Sequence, residues 1–149
     1  MGLDMHLKRR KYVKNWSHTP DEKRFHGVAF IGNKPINLNN IQYLEFEAMY
    51  WRKMNAIHNW FVENVQNGKD DCGNYFVQRE QIEKLLLTIE HVLQNKDDAS
   101  KLLETKAGCF FGSTEIDDWY FDQLVETRIR LQDELNNNPD DEFYYKSSW

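Results

Sequence analysis

The sequence predicts an α+β fold, with a small, mostly antiparallel sheet packed on three main helices in a single domain. Three observations support this. The chain has 149 residues, enough for one domain with a hydrophobic core. Short apolar segments of strand length occur near both ends and between longer segments, and three of the longer segments space their apolar residues as helices do. No internal repeat or domain linker interrupts residues 1–149.

The first predicted element is a strand near the N-terminus. Leu3, Met5 and Leu7 alternate with polar residues, which is the pattern of a half-buried strand continuing to Val13. The second half of this strand is basic, and two interpretations stay open for it. It is either a charge-protected sheet edge or a rim that attracts phosphate. Its basic residues are Lys8, Arg9, Arg10, Lys11 and Lys14.

The next predicted strand covers residues 25–31 and ends at the turn formed by Gly32 and Asn33. Between the two strands, Thr19, Pro20 and their polar neighbours are typical of a turn. We expect these first two strands to pair antiparallel.

The longest predicted helix covers residues 41–66 and forms the centre of the core. Neither Gly nor Pro interrupts it, Asn39 or Asn40 can cap its start, and Asn67-Gly68 can end it. Its apolar positions at helical spacing cover an arc of roughly 200°, wider than a surface helix needs. We therefore expect other elements to cover it on more than one side.

The rest of the chain alternates short strands and helices. A second helix carries Ile82, Leu85, Leu86, Ile89 and Leu93 on one stripe, and a last helix ends before an Asn-rich turn. The predicted elements are a strand at 75–77, a helix at 78–95, a short helix from 97 or 98 to about 104, a strand at 109–111, a helix at 115–135 and a terminal strand at 143–145.

Composition excludes several classes of function. The net charge of −5 argues against a general nucleic-acid binder. The charge is uneven, because residues 1–26 carry seven Lys/Arg and three Asp/Glu, which leaves −9 for residues 27–149. No apolar run is long enough to span a membrane. Cys72 and Cys109 lack metal-ligand spacing, and two thiols without a signal peptide suggest a reducing cytosol.

The main candidate site lies on the predicted central helix. Trp51, Asn55 and His58 stand at i, i+4 and i+7, so they share a helical face. In the functional interpretation the indole stacks on a base, and the amide and imidazole bond to its polar edge. In the alternative interpretation the three residues lie at the margin of the core, and their polar groups bond to nearby backbone.

Further candidates for ligand binding come from three other segments. Lys53 lies near the apolar arc of the helix and can reach an anionic ligand. Ser113 and Thr114 precede the last predicted helix, whose N-terminus can hold a polar ligand group. The carboxylates that follow favour an ordinary helix cap instead. On the first strand, the candidates are His6, Lys8 and Arg10.

Metal and catalytic chemistry have weaker support. Two Asp-Asp pairs, at residues 70–71 and 117–118, are a weak indication of a hard-metal site. The five histidines show no paired spacing of the kind that zinc sites use. Cys72 with a histidine would make a catalytic dyad, but no motif supports it, and neither a phosphate-binding loop nor a dinucleotide fingerprint is present.

The chain resembles a family of small proteins of tailed bacteriophages and prophages. The likeness rests on five segments: Gly2–Met5, Tyr50–Phe61, Asp71-Cys72 with Tyr75, Phe110–Thr114 and Tyr144–Trp149. It covers nearly the whole chain and implies a phage protein acting in the host cytoplasm, but it implies no activity. The chain departs from the family pattern at His6, where the family has Tyr, and at Met54, where it has Ala.

These observations favour a non-enzymatic binding protein that needs neither a metal nor a cofactor. We expect it to sequester a nucleotide-type small-molecule signal and so to counter a host defence. The alternative is a protein-interaction module that inhibits a host protein through an acidic surface, and a small hydrolase is a third possibility. The aromatic content of 14% is compatible with a homodimer that holds the ligand at its interface.

Overall fold

A computed structural model describes residues 2–149 and shows the α+β class predicted from the sequence. A four-stranded antiparallel sheet has the order β4-β1-β6-β5, and a separate hairpin pairs β2 with β3. In chain order the elements are β1 (Asp4–Tyr12), β2 (Phe30–Ile31), β3 (Lys34–Pro35), β4 (Tyr43–Arg52), α1 (Asn55–Asn64), β5 (Asn74–Val77), α2 (Arg79–Gln94), α3 (Ala99–Leu102), α4 (Asp118–Asn137) and β6 (Glu142–Ser148).

Strand β1 lies inside the sheet and pairs with β4 on one side and β6 on the other. Leu3, just before the strand, and Met5 and Leu7 within it are completely buried, so the predicted alternation is confirmed. One face of the sheet packs on the helices and the other is open. The sheet and the helices share one hydrophobic core. Its buried residues include Leu3, Met5, Leu7, Trp51, Ile57, Phe61, Ile82, Leu85, Ile89, Leu124, Leu131, Phe143 and Tyr145.

The single helix predicted over residues 41–66 is wrong in its first half. Residues 43–52 form β4, and only residues 55–64 form a helix, α1. A bulge explains the error. Leu7 pairs with Met49 and Lys8 with Glu47, so Ala48 is an extra residue that breaks the strand's two-residue period. Strands favour aromatic residues, and this segment contains Tyr43, Phe46, Tyr50 and Trp51.

Two other predictions of local structure are wrong, and the start of the last helix is shifted. The strand predicted at residues 25–31 shrinks to Phe30–Ile31, which pairs with β3 and not with the first strand. Residues 109–111 form a turn, in which Phe110 has a left-handed φ of 66°. The last helix begins at Asp118, three residues later than predicted, because the side chain of Asp117 caps it by accepting the N–H of Tyr120.

The remaining elements match the prediction in type and approximate position. Strand β5, helices α2 and α3, and strand β6 fall in or close to the predicted ranges. Ile82, Leu85 and Ile89 of α2 are buried on one stripe, as the helical spacing required. No helix within residues 2–149 carries an apolar stretch long enough to cross a bilayer.

The segment between β1 and β4, residues 13–42, forms an arm outside the sheet. The arm contains the β2–β3 hairpin and short helical turns, and its ends are joined by the bond from Val13 N to Gln42 O at 2.9 Å. No residue from Lys8 to Glu47 is buried. The arm therefore contributes no residue to the hydrophobic core.

Candidate functional site

The structure separates the predicted ligand-binding residues into groups that lie on different parts of the molecule. Trp51, Asn55 and His58 are enclosed on the helix side of the sheet. His6, Lys8 and Arg10 lie on its open face, and the other three residues lie in loops. These residues therefore do not converge on one pocket.

Trp51 lies on β4, and its side chain faces α4. It is 1% exposed, and its indole Nε1 donates a hydrogen bond of 2.8 Å to Oγ1 of Thr127. The ring also packs against Phe61, with 5.9 Å between ring centroids. Neither face of the indole is free for a base, so Trp51 does not form a stacking platform.

Asn55 is the first residue of α1, and its amide bonds only to backbone. Nδ2 donates to the carbonyl oxygens of Phe111 at 3.1 Å and Ser113 at 2.8 Å. Oδ1 accepts the N–H of Lys106 at 3.0 Å. One side chain thus fastens both ends of the loop that precedes α4, which gives this buried amide a structural function.

His58 is 1% exposed and sits between a tyrosine and a carboxylate. Its Nε2 lies 3.0 Å from Oδ1 of Asp70, and its Nδ1 lies 2.8 Å from the hydroxyl of Tyr145. The arrangement fits a neutral ring that donates from Nε2 to Asp70 and accepts the Tyr145 hydroxyl at Nδ1. Burial lowers the pKa of His58, and the charge and hydrogen bond of Asp70 partly offset this effect.

The structure therefore does not support the functional interpretation in which a base stacks on Trp51 and bonds to Asn55 and His58. Trp51, Asn55 and His58 do not share a helical face, since Trp51 belongs to a strand. Each is enclosed, and each polar group has a partner within the chain. The alternative interpretation, in which these polar groups bond to backbone at the margin of the core, fits Asn55, whereas Trp51 and His58 bond to the side chains of other elements.

The loop candidates do not surround a common site. Lys53 is exposed in the turn between β4 and α1, with a left-handed φ of 59°, and its backbone N–H donates to Leu3 O at 2.8 Å. Ser113 and Thr114 are exposed, but the helix begins only at Asp118. The predicted anion cradle is therefore not formed, because these two residues are not at the helix N-terminus.

The three basic-strand candidates do come together on the open sheet face, where carboxylates of β4 contact them. Glu45 accepts from Arg10 at 2.7 Å and from Lys8 at 3.0 Å, and its pKa is lowered mainly by the bond from Arg10. Glu47 lies 2.6 Å from Nδ1 of His6. The same face carries aromatic rings, with the Arg10 guanidinium 4.3 Å above the ring of Tyr144. It is a mixed polar and aromatic surface without a net positive charge.

The arm, residues 13–42, is the feature that the sequence-based site prediction missed. At its hairpin, Val28 is 79% exposed, Phe30 58% and Ile31 74%. Gly32 allows the tight turn at the tip, with a left-handed φ of 58°. The sequence carries a signal for this feature: an apolar segment is followed directly by a Gly-Asn turn. Few neighbouring residues are apolar enough to cover that segment. That pattern predicts a hairpin with an exposed apolar tip.

Metal-ligand chemistry has no candidate site in the described residues. Among residues 2–149, no group of three or more His, Cys, Asp or Glu side chains is arranged to hold a metal ion. Asp70 and Asp117 have other partners, since they accept from His58 and from the Tyr120 N–H. Cys72 and Cys109 are exposed free thiols.

Comparison of the chain with protein-family models, with curated proteins and with solved structures gave no match.

Proposed function

We propose that this chain is a non-enzymatic binding module that docks on another protein through its arm, residues 13–42. The observation that carries the proposal is the set of exposed apolar side chains at the hairpin, Val28, Phe30 and Ile31, which stay more than half exposed among the described residues 2–149. The proposal keeps a protein partner, as in the alternative prediction, but places the contact on the basic arm instead of an acidic surface, and we prefer it to the nucleotide-binding hypothesis. The support for this choice is that Trp51, Asn55 and His58 are enclosed.

Three large apolar side chains exposed together are unfavourable in water. Fully burying a side chain such as Phe or Ile is worth about 1.5–3 kcal/mol relative to leaving it exposed. Contiguous exposed apolar patches on monomeric proteins commonly mark interaction sites. Phe30 and Ile31 are successive residues of β2 and point to opposite faces of the hairpin, so a partner gains this free energy from both side chains only by enclosing the tip.

Hydrogen bonds within the arm stabilise its conformation without help from a partner. Asn15 makes two bonds with the backbone of Phe25, one from Nδ2 at 2.6 Å and one to Oδ1 at 3.0 Å. The N–H of Ile36 donates to Ala29 O at 2.8 Å across the base of the hairpin. Preorganisation of this kind lowers the entropic cost of docking.

The charge of the arm indicates the kind of surface it fits. Residues 13–42 carry four Lys/Arg and two Asp/Glu, so the arm is basic while the whole chain carries −5. A complementary partner would present an apolar groove with an acidic rim. The resemblance to phage proteins makes a bacterial host protein the partner to seek, and inhibition of that protein is the proposed outcome.

Affinity capture from a host lysate tests the proposal, with wild-type chain compared to the double variant Phe30→Asp/Ile31→Asp. We expect one stoichiometric partner with wild type and its loss with the variant. Leu87→Asp is the matched control, because Leu87 is a 68% exposed apolar residue on α2, far along the chain from the arm. Equal capture by all three proteins, or capture of nothing by wild type, would contradict the proposal.

A nucleotide-type ligand remains a second candidate function, favoured by one observation on the open sheet face. Phe76 and Tyr144 lie side by side there, with 5.6 Å between ring centroids, next to Arg10 and Lys8. A base could stack on Phe76, which is exposed, while the phosphate would compete with Glu45 for the two cations. Calorimetry with mono-, di- and cyclic nucleotides tests it, and no heat with wild type would remove it.

A further inference from the structure

The open face of the four-stranded sheet presents exposed aromatic rings at two separate points. On the edge strand β5, Phe76 is 54% exposed and packs edge-on against Tyr144 of β6, with 5.6 Å between the ring centroids. On the opposite edge strand β4, Tyr50 is 41% exposed and lies beside His6 of β1, with 5.1 Å between the ring centroids. Both Phe76 and Tyr50 lie outside the hydrophobic core.

The register of the sheet fixes the separation of these two rings. Phe76 pairs with Tyr144, which pairs with Lys8 of β1. Two residues earlier in β1, His6 pairs with Tyr50. With strands about 4.8 Å apart and a rise of about 3.4 Å per residue, the Cα atoms of Phe76 and Tyr50 are roughly 16 Å apart. A ligand that contacts both rings is therefore an extended chain of units, because one sugar or one base cannot reach from ring to ring.

Hydrogen bonds hold polar side chains in place between the two rings. Glu45 accepts from Arg10 at 2.7 Å and from Lys8 at 3.0 Å. The hydroxyl of Tyr50 donates to the carboxylate of Asp4, which fixes the orientation of that ring. Side chains that are already ordered lose little further conformational entropy when they bind a ligand.

Two polar side chains beside Phe76 have no partner of this kind. Asn74 and Lys146 stand opposite each other on β5 and β6, and both are exposed. Among the described residues 2–149, neither side chain makes a hydrogen bond or an ion pair. Together they offer an ammonium group, amide donors and an amide acceptor. Hydroxyl groups suit this combination, because a hydroxyl both donates and accepts.

The charges of the open face cancel. Its four cations are Lys8, Arg10, Arg52 and Lys146. Its four carboxylates are those of Asp4, Glu45, Glu47 and Glu142. A polyanion such as a nucleic acid gains most of its affinity from cations that neutralise its phosphates, and here it would meet equally many carboxylates. The face therefore favours an uncharged ligand that carries many hydroxyl groups.

We propose that the open sheet face binds a neutral oligosaccharide, with one pyranose ring stacked on Phe76 and another on Tyr50. The C–H groups on the flat side of a pyranose pack on an aromatic ring by dispersion. Its hydroxyls project from the rim of the sugar ring, where they meet hydrogen-bonding side chains such as Asn74 and Lys146. The oligosaccharide and the nucleotide considered above would use the same rings, so they are alternatives on this face. The inference does not depend on the arm.

A binding survey with the full-length chain tests the proposal, followed by isothermal titration calorimetry of the probes that bind. The probes are neutral oligosaccharides of glucose, mannose and N-acetylglucosamine, the three monosaccharides, and mononucleotides. We expect binding of a neutral oligosaccharide and no detectable binding of the monosaccharides, because a single sugar contacts only one ring. The affinity should stay constant as the NaCl concentration rises, since an uncharged ligand forms no ion pair that salt could screen.

Matched variants assign the binding to the two rings. Phe76→Ala and Tyr50→Ala should each weaken binding at least roughly tenfold, whereas Phe76→Trp and Tyr50→Phe keep a ring and should retain it. Leu87→Asp and the arm variant Phe30→Asp/Ile31→Asp should bind as wild type does, so failure of this inference and failure of the arm proposal are distinguishable. The alanine variants should keep the wild-type unfolding midpoint, because both side chains are exposed.

Three results would overturn the proposal. The first is a wild-type chain that binds none of the neutral oligosaccharides. The second is tighter binding of mononucleotides than of neutral oligosaccharides, with an affinity that falls as salt rises. The third is a pair of folded alanine variants that bind oligosaccharide as tightly as wild type does.

Discussion

The indole of Trp51 and the hydroxyl of Thr127 form a buried hydrogen bond of 2.8 Å that joins strand β4 to helix α4. Thr127 in turn donates to the carbonyl oxygen of Gln123 at 2.7 Å, so its hydroxyl both donates and accepts. The largest buried side chain of the core is thereby fixed in orientation, which explains why a tryptophan with a polar atom is tolerated there.

Thr127→Val should destabilise the fold by about 1–3 kcal/mol, because it leaves the indole N–H of Trp51 buried without an acceptor. Thr127→Ser is the matched control, since it keeps the hydroxyl and should cost less. Chemical denaturation of both variants measures the difference. Equal stability of the valine and serine variants would show that this hydrogen bond contributes little.

Arg9 and Arg10 are adjacent on β1 but point to opposite faces, and their substitutions should differ in cost. The side chain of Arg9 is 12% exposed and lies between Glu134 at 2.8 Å and Asp141 at 2.5 Å, both nearly buried. Arg10 pairs with the exposed Glu45. Arg9→Ala leaves two nearly buried carboxylates with only their longer ion pairs to Arg130 and Lys11, and it should cost about 2–4 kcal/mol.

Arg10→Ala removes only a surface pair and should cost less than about 1 kcal/mol. The unfolding free energies of the two alanine variants, measured side by side, test the assignment of faces. A larger loss for the Arg10 variant than for the Arg9 variant would contradict the register of β1.

Acidification should weaken the fold through His58. Its pKa is lowered in the folded state, below the ordinary value of 6.5, so the unfolded chain binds the proton more readily. This contribution to stability is complete above that value and is lost as the pH falls below it. His58→Gln removes the titrating ring while keeping a donor that can reach Asp70.

The check is the unfolding free energy of wild type and His58→Gln between about pH 5 and 7. The difference between the two profiles removes the contributions of the other histidines. Wild type should lose more stability than the glutamine variant as the pH falls. Parallel profiles would show that His58 does not titrate differently in the folded state. Asp70→Asn should lose more stability than wild type as the pH falls, because the substitution removes the negative charge that favours protonation of His58.

The sequence predicted the fold class because the apolar residues of several elements recur at the regular spacing of a strand or a helix. Leu3, Met5 and Leu7 alternate without interruption, and Ile82, Leu85 and Ile89 keep helical spacing. The prediction failed at β4 because its bulge at Ala48 shifts the apolar side chains out of the two-residue period. The shifted pattern happens to fit a helix continuous with α1.

The surroundings of the candidate site residues could not be derived from local spacing, because they depend on hydrogen-bond partners that lie far away in the sequence. Asn55 is satisfied by a loop more than 50 residues away, at Phe111 and Ser113, and no periodicity reveals such contacts. Alternation along β1 puts His6, Lys8 and Arg10 on one face of the strand. The carboxylates that contact Lys8 and Arg10 belong to β4, in a segment for which the sequence predicts a helix.

Site-specific photo-crosslinking tests the central claim, that the arm is the binding surface, most directly. A photoreactive residue placed at Ile31, at the hairpin tip, is compared with the same residue at Leu87, which is similarly exposed on α2. We predict that irradiation in a host lysate joins one protein covalently to position 31 and not to position 87. Crosslinking that is equal at both positions, or absent at position 31, would contradict the account.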